Sequence, residues 1–345
     1  MITILNDDFS QLNDYIRQNP PSKILILCDE NTHEYCAPHL LANLETEIPV
    51  EIIEIEPGEE LKSIETATQL WEIFSEFEAD RKTLLVNVGG GVITDMGGFV
   101  ASTYKRGIRF INMPTTLLGM CDASIGGKTG IDHQFLKNIV GTFALPEQIF
   151  VYPSFLETLP FTELISGFAE MLKHGLIADR EHWEDLISIT DLNADSVAPF
   201  IEKSMQIKQN VVEQDFKEQN IRKILNFGHT IGHAVESLFL KSGKVVPHGE
   251  CVALGMIAET RIAFLENLIT EGTAGNIILN LGKFYPYHSI QAFGDEDILS
   301  LMKNDKKNAS GNINFSLIDG IGSCRYDFPA SENSIISALD YYRKL

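Results

Sequence analysis

The 345-residue sequence has little cysteine, little positive charge and no long apolar run. Its five cysteines are scattered, odd in number and without a CxxC pair, which argues against a disulfide framework or a cysteine zinc cluster. Lys and Arg total 27 against 48 Asp and Glu, so a net charge of −21 argues against binding to nucleic acid or to an anionic membrane. No run approaches the roughly 18 apolar residues that a membrane helix needs.

The N-terminal residues carry no basic segment ahead of an apolar core, so we predict no secretory signal and expect a cytoplasmic protein. A hydrophobic content of 44% with 22% charged residues is typical of a globular protein, and the length allows two domains. Neither an internal repeat nor a low-complexity stretch is evident. The charge balance and a few locally basic segments suit a small anionic substrate.

Strand-length aliphatic runs alternate with helical segments in the first part of the chain, which predicts a parallel α/β sheet with covered faces. The runs are 23–29, 50–55, 83–88 and 110–113, with a helix such as 63–77 between them. Strand signals mostly disappear after residue 113. The helical segments that follow are 161–176, 181–189, 198–212, 225–240 and 249–265. We therefore predict a Rossmann-like domain at residues 1–153 and an all-α domain at residues 154–345.

The segment 225–236, Leu-Asn-Phe-Gly-His-Thr-Ile-Gly-His-Ala-Val-Glu, is the most informative in the chain. On a helix His229 and His233 share one face, with Asn226 and Glu236 close to the same stripe. Two histidines on an apolar helix are often hydrogen-bonded core residues. The pattern by itself therefore leaves packing and metal binding open.

Other metal ligands are available elsewhere in the sequence. Glu170 and His174 lie in a second apolar helical segment, and His248 stands at a turn that opens a third. A carboxylate and two histidines, with one position left to water or substrate, form a common catalytic zinc sphere. Spacing alone does not choose among the four histidines, which are His174, His229, His233 and His248.

A glycine turn, 89–98, follows the strand that ends at Val88 and leads into a helix. Glycines allow close approach to a pyrophosphate, whose charge the helix N-terminus favours. The order is not GxGxxG, and such turns are common without a nucleotide, so the signal is moderate in specificity. Asp29, at the end of an earlier strand, suits either a ribose contact or a helix cap before Thr32.

A second glycine segment, 122–130, resembles a phosphate-binding Walker loop only in part. Position 122 is Asp where that motif requires glycine, so we exclude a P-loop NTPase. Lys128, Lys137 and Asn138 still offer donors that suit phosphate or hydroxyl groups. Solvated surface lysines remain the alternative interpretation.

Together these segments resemble the 3-dehydroquinate synthase family over about residues 57 to 307. One departure from the family is Thr94, which stands where the family usually has glycine; we expect it to leave a backbone N–H available. The matching segments are 57–62, 89–95, 106–107, 114–118, 122–128, 137–138, 167–173, 225–233, 248–250 and 305–307.

The resemblance implies conversion of 3-deoxy-D-arabino-heptulosonate 7-phosphate to 3-dehydroquinate and phosphate. The implied steps are transient oxidation by NAD, phosphate elimination, reduction, ring opening and an intramolecular aldol closure. The resemblance also implies a homodimer and a zinc ion, which cobalt could replace. The implied metal ligands are Glu170, His229 and His248, which assigns His233 to the substrate.

The resemblance further implies the residues that bind NAD and substrate. At the C-terminal end of the resemblance, Lys306 is taken as the matching residue in preference to the adjacent Lys307. NAD is expected on Asp29, Pro57, Gly58, Glu59, Glu60, Leu61, Lys62, Gly91, Val92, Ile93, Thr94, Asp95, Thr115, Thr116, Lys128, Lys137, Phe155, Leu156, Glu157 and Thr158. The substrate and the chemistry are expected on Arg106, Asp122, Lys128, Asn138, Lys173, Lys208, Glu218, Arg222, Asn226, His233 and Lys306.

Three alternatives to this hypothesis predict different features. A metal-dependent polyol dehydrogenase of the glycerol dehydrogenase kind shares the layout but does not need the phosphate-side cations. A related sugar-phosphate cyclase would act on a different phosphorylated sugar. A catalytically inactive NAD-binding module predicts loss of metal ligands or site cations, and no such loss is seen in the sequence.

Overall fold

The computed structural model describes residues 2–133, 136–304 and 313–345, except for the side chains of residues 136, 137 and 304. The chain divides into two compact units, Met1–Pro160 and Phe161–Leu345. The division falls a few residues beyond Pro153, near which the sequence led us to expect it. Among the described helices, none has both the length and the apolar character that crossing a membrane requires.

The first unit is built on a six-stranded parallel sheet. Its strands are β1 (Ile2–Ile4), β2 (Ile24–Asp29), β3 (Val50–Ile55), β4 (Leu84–Gly89), β5 (Arg109–Pro114) and β8 (Ile149–Val151). The strand order is β1-β8-β5-β4-β2-β3. Nearly every residue of β2 and β4 is buried, as expected for strands covered on both faces. This confirms the predicted Rossmann-like architecture.

Helices and a hairpin complete the first unit. The helices are α1 (Ser10–Gln18), α2 (Glu30–Tyr35), α3 (Ala37–Asn43), α4 (Ile64–Glu76) and α5 (Gly91–Thr103). An antiparallel hairpin pairs β6 (Lys128–His133) with β7 (Leu136–Phe143). These two strands were not predicted because glycine and charged residues interrupt their aliphatic pattern, although the hydrogen bonds between the strands still form.

The second unit is mainly helical. Its helices are α6 (Phe161–Ala178), α7 (Arg180–Ile187), α8 (Ala194–Gln214), α9 (His229–Lys241), α10 (His248–Leu265), α11 (Glu271–Phe284), α12 (Asp295–Asn304) and α13 (Glu332–Tyr342). It also contains a hairpin of β9 (Asn314–Gly320) and β10 (Ser323–Pro329), so the expectation of a purely α-helical domain needs this correction.

The helix expected from Leu225 begins instead at His229. A 3-10 turn, Ile221–Asn226, precedes it, and Gly228 forms the junction with φ at 81°, a left-handed conformation that glycine adopts readily. Asn226 therefore lies outside α9 and not on the histidine stripe. This start makes His229 the first residue of its helix, as His248 is of α10.

Candidate active site

Three helices of the second unit direct an acid and two histidines toward one another. Glu170 lies in the middle of α6 and is fully buried, while His229 and His248 open α9 and α10. Nε2 of His229 lies 3.2 Å from Oε1 of Glu170, and Nε2 of His248 lies 3.9 Å from the same oxygen. Three metal-ligating atoms thus converge.

The spacing of these atoms fits a divalent metal ion. Zinc bonds of about 2.0–2.2 Å place neighbouring tetrahedral ligand atoms roughly 3.3–3.6 Å apart. The observed separations of 3.2 and 3.9 Å lie on either side of that interval. A carboxylate with two imidazoles also leaves a coordination position for water or substrate, as a catalytic site requires.

Both histidines have an acceptor behind the ring. Nδ1 of His229 lies 3.1 Å from the carbonyl oxygen of Phe227, and Nδ1 of His248 lies 3.2 Å from Oε2 of Glu236. An acceptor there favours the tautomer protonated at Nδ1, which leaves the Nε2 lone pair directed toward Glu170. Partners of this kind orient metal-ligating histidines in proteins generally.

The charge balance at the cluster favours neutral imidazole. Burial lowers the pKa of His229; the carboxylate of Glu170 opposes this effect and the cation of Lys173 adds to it. Lys173 is itself buried one turn from Glu170 and forms an ion pair with it. A neutral histidine is the form that binds a metal, so His229 is in its metal-binding form at neutral pH.

The other two candidate histidines lie close by. The ligating atoms of His229, His233 and His248 are all within 4.8 Å of one another, and the rings of His229 and His233 are 5.0 Å apart. His174 is fully buried one turn beyond Glu170 on α6. The three-histidine group is a geometric alternative, and a ring nitrogen of His174 also lies within 4.8 Å of a Glu170 oxygen. Glu170, His229 and His248 are the set that the family resemblance implies, and their ligating atoms are the ones measured above.

Three cations of the second unit are buried in a protein of net charge −21. Lys173, Lys208 and Arg222 are 1%, 6% and 3% exposed. Burial of a charged group costs free energy that partners must offset, and such residues are almost never buried unless paired. All three were predicted substrate residues, and their burial suits recognition of an anion.

A single carboxylate organises the segment that carries the other polar site residues. Asp215, just after α8, accepts backbone hydrogen bonds from Gln219 at 3.0 Å, Asn220 at 2.6 Å and Arg222 at 3.2 Å. Burial would raise the pKa of Asp215, but these three donors outweigh it and lower the pKa below its usual range. The segment is therefore held by a charged group rather than by regular secondary structure.

The predicted residues of this segment contact one another. Nδ2 of Asn226 donates to Oε1 of Glu218 at 2.8 Å, and Nη1 of Arg222 donates to the carbonyl oxygen of Phe216 at 2.6 Å. Glu218 has a φ of 57°, an uncommon conformation for a residue with a side chain. Lys306 lies outside the described residues, so its placement stays a prediction.

The glycine turn of the first unit forms as expected at the end of β4. Helix α5 begins at Gly91 with Gly90 as its N-cap. The N–H of Thr94 donates to the carbonyl oxygen of Gly90 at 3.0 Å, so the expectation that this amide is available for a ligand is wrong. Helix geometry instead leaves the preceding amides of Gly91, Val92 and Ile93 for a phosphate.

A buried ion pair joins two of the predicted nucleotide segments. Nζ of Lys62 lies 2.6 Å from Oδ2 of Asp95 in α5, and Lys62 is only 3% exposed. Burial alone would lower the pKa of Lys62, but the carboxylates of Asp95 and Glu59 outweigh it and raise the pKa. The structure therefore brings the 57–62 segment against the glycine-turn helix.

The remaining nucleotide candidates lie at or after the carboxyl ends of strands. Asp29 caps α2, accepting from the N–H of Thr32 at 2.8 Å, so the cap interpretation describes this structure; a ribose contact stays a prediction. Thr115 is buried beside the glycine turn, its N–H 3.1 Å from the carbonyl oxygen of Gly89. Thr116 precedes a π-helical turn, Gly119–Ala123, that contains Asp122. A 3-10 turn after β8, Pro153–Thr158, contains the candidates Phe155, Leu156, Glu157 and Thr158.

The first unit's predicted phosphate and substrate donors are exposed. Arg106, Lys128 and Asn138 all lie at the surface, and Arg106 and Asn138 have φ of 68° and 52°. The N–H of Asn138 donates to Oδ1 of Asp132 at 2.6 Å, which fixes its backbone in β7. The backbone of Lys137 lies in the same strand, but its side chain is outside the described residues.

Sequence reasoning missed the supporting carboxylates. Asp215 and Glu259 were not singled out, and Glu236 was placed on the histidine stripe without a role. Each acts through hydrogen bonds to groups distant in the sequence or in an irregular segment, and spacing carries no signal for such contacts.

Solved structures of related fold place this architecture among the sugar-phosphate cyclases. A 2-deoxy-scyllo-inosose synthase complexed with carbaglucose-6-phosphate, NAD⁺ and Co²⁺ is 26% identical with a TM-score of 0.84, covering 99% of this chain and 96% of that one. A 2-epi-5-epi-valiolone synthase from Streptomyces hygroscopicus, 24% identical, shares the fold with a TM-score of 0.85, covering 100% and 96%.

Sequence comparison narrows the class further. Models of the N-terminal and C-terminal parts of 3-dehydroquinate synthase match residues 52–166 and 167–308. A 3-dehydroquinate synthase of Parabacteroides distasonis is 39% identical over 345 residues, covering 99% of this chain and 98% of that protein. The chain therefore belongs to the 3-dehydroquinate synthase family, which confirms the resemblance found in the sequence.

Proposed function

We propose that the chain is a 3-dehydroquinate synthase, converting 3-deoxy-D-arabino-heptulosonate 7-phosphate to 3-dehydroquinate and phosphate. The observation that carries this proposal is the convergence of the buried Glu170 with His229 and His248, in a chain 39% identical to such an enzyme over almost its whole length. A polyol dehydrogenase would need a metal site but not the buried cations Lys173, Lys208 and Arg222 of the second unit.

Glu170, His229 and His248 hold one divalent ion, zinc or cobalt. When bound, the metal supplies Lewis acidity toward a substrate hydroxyl and NAD⁺ supplies a reversible hydride acceptor. The protein supplies position and charge. Two neutral imidazoles, fixed at Nδ1 by Phe227 and Glu236, present lone pairs without cancelling the whole charge of the ion.

The second unit binds the anionic groups of the substrate. A substrate with a carboxylate and a phosphate needs several charge-assisted hydrogen bonds, and Lys173, Lys208 and Arg222 offer them from buried positions. Such buried donors orient an anion with little reorganisation. The full proposed set for substrate and chemistry is Arg106, Asp122, Lys128, Asn138, Lys173, Lys208, Glu218, Arg222, Asn226, His233 and Lys306.

The first unit binds NAD at the carboxyl ends of its strands, as parallel α/β sheets generally bind ligands. The relative complexed with NAD⁺ and Co²⁺ supports this assignment. The ion pair between Lys62 and Asp95 keeps two of the expected segments together. The proposed set is Asp29, residues 57–62, residues 91–95, Thr115, Thr116, Lys128, Lys137 and residues 155–158.

The protein acts as a cytoplasmic homodimer. Scattered cysteines, four of them buried, suit a reducing compartment better than a disulfide-forming one. Sedimentation of the purified protein tests the assembly: a species of twice the 38.5 kDa chain mass is expected, and a monomer at micromolar concentration contradicts it.

The test of the activity follows phosphate release and NADH in one reaction. Protein is incubated with the heptulosonate phosphate, NAD⁺ and Zn²⁺, with a chelator-treated sample as control. The proposal predicts phosphate release without NADH accumulation, because the same cofactor is oxidised and reduced in each turnover. Accumulating NADH without phosphate would identify a dehydrogenase instead.

A further inference from the structure

A buried carboxylate from α10 occupies the N-terminus of α9. Glu259 is fully buried; its Oε2 accepts from the N–H of Gly228 at 2.6 Å and its Oε1 from the N–H of Ile231 at 3.0 Å. The first N–H groups of any helix lack intrahelical partners, and Gly228, the N-cap, has no side chain to offer. Glu259 thus performs from another helix the task that a capping side chain usually performs.

Close packing of α10 against α9 allows the Glu259 side chain to contact the first amides of α9. A Cβ built on Gly255 would lie 1.8 Å from the carbonyl oxygen of Gly228, so glycine at 255 lets the two backbones touch. Glu259 stands one turn beyond Gly255 on the same face of α10. The carboxylate therefore meets the α9 amides directly.

One peptide group connects Glu259 with the metal cluster. The N–H of Gly228 and the C=O of Phe227 belong to the same peptide; the first donates to Glu259, and the second faces Nδ1 of His229 at 3.1 Å. Hydrogen bonds in such a chain polarise one another. The negative charge of Glu259 therefore strengthens the peptide oxygen as an acceptor and makes Nε2 of His229 a better donor of its lone pair.

The free-energy cost of burying the Glu259 carboxylate is also consistent with a role for its hydrogen bonds at the start of α9. A carboxylate taken out of water is expensive unless charge-assisted hydrogen bonds and the helix dipole offset it. The cluster's other ligating histidine receives a comparable carboxylate directly, because Glu236 contacts Nδ1 of His248. The two histidines are thus each supported by an acid, one directly and one through a peptide.

We propose that Glu259 is a positioning residue of the metal centre, acting through the Phe227–Gly228 peptide on His229. The proposal rests on the metal centre proposed above. It does not depend on which reaction the enzyme catalyses, since its test measures metal binding without substrate. The expected consequence is a metal affinity that depends on the charge of a residue which does not contact the metal.

The experiment compares Glu259→Gln with wild type by competition between chelator and protein for Zn²⁺ and Co²⁺. Loss of the charge is expected to weaken metal binding roughly 10- to 100-fold, the usual range for partners of ligating histidines. Turnover should fall at limiting metal and recover with excess metal, with KM for the sugar phosphate unchanged. Glu259→Asp, which keeps the charge, should recover part of the affinity.

Two controls separate this role from general stability. Glu202→Gln removes an exposed carboxylate of α8 and should leave metal affinity unchanged. Wild-type metal affinity in a folded Glu259→Gln would overturn the proposal. The proposal would also fail if the only effect of this substitution were a lower melting temperature of the metal-free protein. A wild-type protein that binds no ion would overturn the metal centre and this proposal together.

A measurement on unmutated protein keeps the test valid if the variants do not fold. The short bond from Gly228 to a carboxylate should move its amide proton resonance to unusually low field, and metal binding should shift it further. A resonance at an ordinary position that ignores added Zn²⁺ would contradict the proposed connection.

Discussion

The two units present their candidate residues in opposite ways. In the second unit Glu170, Lys173 and Arg222 are almost completely buried and held by named partners. In the first unit the predicted substrate and phosphate donors Lys128 and Arg106 are at the surface. The candidate metal-binding and anion-binding residues of the second unit are therefore shielded from solvent, whereas the candidate donors Lys128 and Arg106 of the first unit lie in solvent, which screens their charges.

The difference in burial between the two sets of residues predicts different contributions to ligand affinity. Preset ligands bind a metal without first ordering their side chains, so removing one should have a large effect. Exposed lysines and arginines lose rotamer freedom when they bind, which reduces their net contribution. The following predictions test that contrast, from the largest effect to the smallest.

The largest effect is expected from His229→Ala. Removing a ligand from a three-residue site should abolish metal-dependent turnover, while circular dichroism should show an intact fold because the side chain lies at a helix start. His33→Ala, which changes an exposed histidine of α2, serves as the matched control. Full activity of His229→Ala in metal-free buffer would contradict the zinc assignment.

A smaller effect is expected from Glu236→Gln. The carboxylate orients His248 from behind, so its neutralisation should weaken Zn²⁺ binding roughly 10- to 100-fold while NAD⁺ affinity stays the same. Isothermal titration with each ligand measures both. Equal loss of both affinities would show that the change acts on folding rather than on His248.

A loss of about tenfold is expected from Lys128→Ala in the first unit. The charge-assisted contact of one exposed lysine is worth about 1.5 kcal/mol, near the lower end of the usual range. Dissociation constants for NAD⁺ and substrate should both rise, and Zn²⁺ affinity should not change. Lys82→Ala, another exposed lysine of that unit, is the control; wild-type kinetics in Lys128→Ala would rule out its assigned place.

The smallest effect at neutral pH concerns His182, which lies in α7 with Nε2 2.8 Å from Oγ of Ser204. Burial, with a further contribution from His174, lowers the pKa of His182 to about 4. The unfolded imidazole titrates near about 6.5, so the unfolded state gains a proton first as pH falls. Stability of the second unit should therefore decrease between about pH 6.5 and pH 4 and level off below.

His182→Gln tests this pH dependence, because it can keep a hydrogen bond to Ser204 but cannot titrate. Urea unfolding can be followed through Trp183 in a Trp71→Phe background, so that the signal reports the second unit. The variant should lose less stability than wild type between pH 7 and pH 5. An equal loss would contradict the assignment.

Much of the fold followed from periodicity. The four predicted strands of the sheet correspond to β2, β3, β4 and β5. The largely buried β2, β4 and β5 have predominantly apolar sequences, as covered parallel strands do, whereas the edge strand β3 combines β-branched residues with two glutamates. The hairpins β6–β7 and β9–β10 contain glycine and polar residues among their apolar ones, so no continuous apolar run marked them. Their stability comes from pairing, which a single segment does not reveal.

The sequence predicted which residues form the candidate metal site, but not the residues that hold them in place. Four histidines and a carboxylate in apolar helical segments predicted a metal site. The family resemblance then indicated Glu170, His229 and His248 as the ligands. The start of α9 at His229 and the carboxylate of Glu259 behind it depend on a left-handed Gly228 and on a glycine contact between helices. Such contacts join residues about thirty positions apart, and periodicity does not register them.

The most direct test of this account is titration of metal-free protein with Co²⁺, read from the visible absorption of the bound ion. Wild type and His233→Ala should each bind one equivalent at the proposed centre, whereas His248→Ala should show neither the absorption nor the tight binding. Retention of the site in His248→Ala together with its loss in His233→Ala would contradict the account.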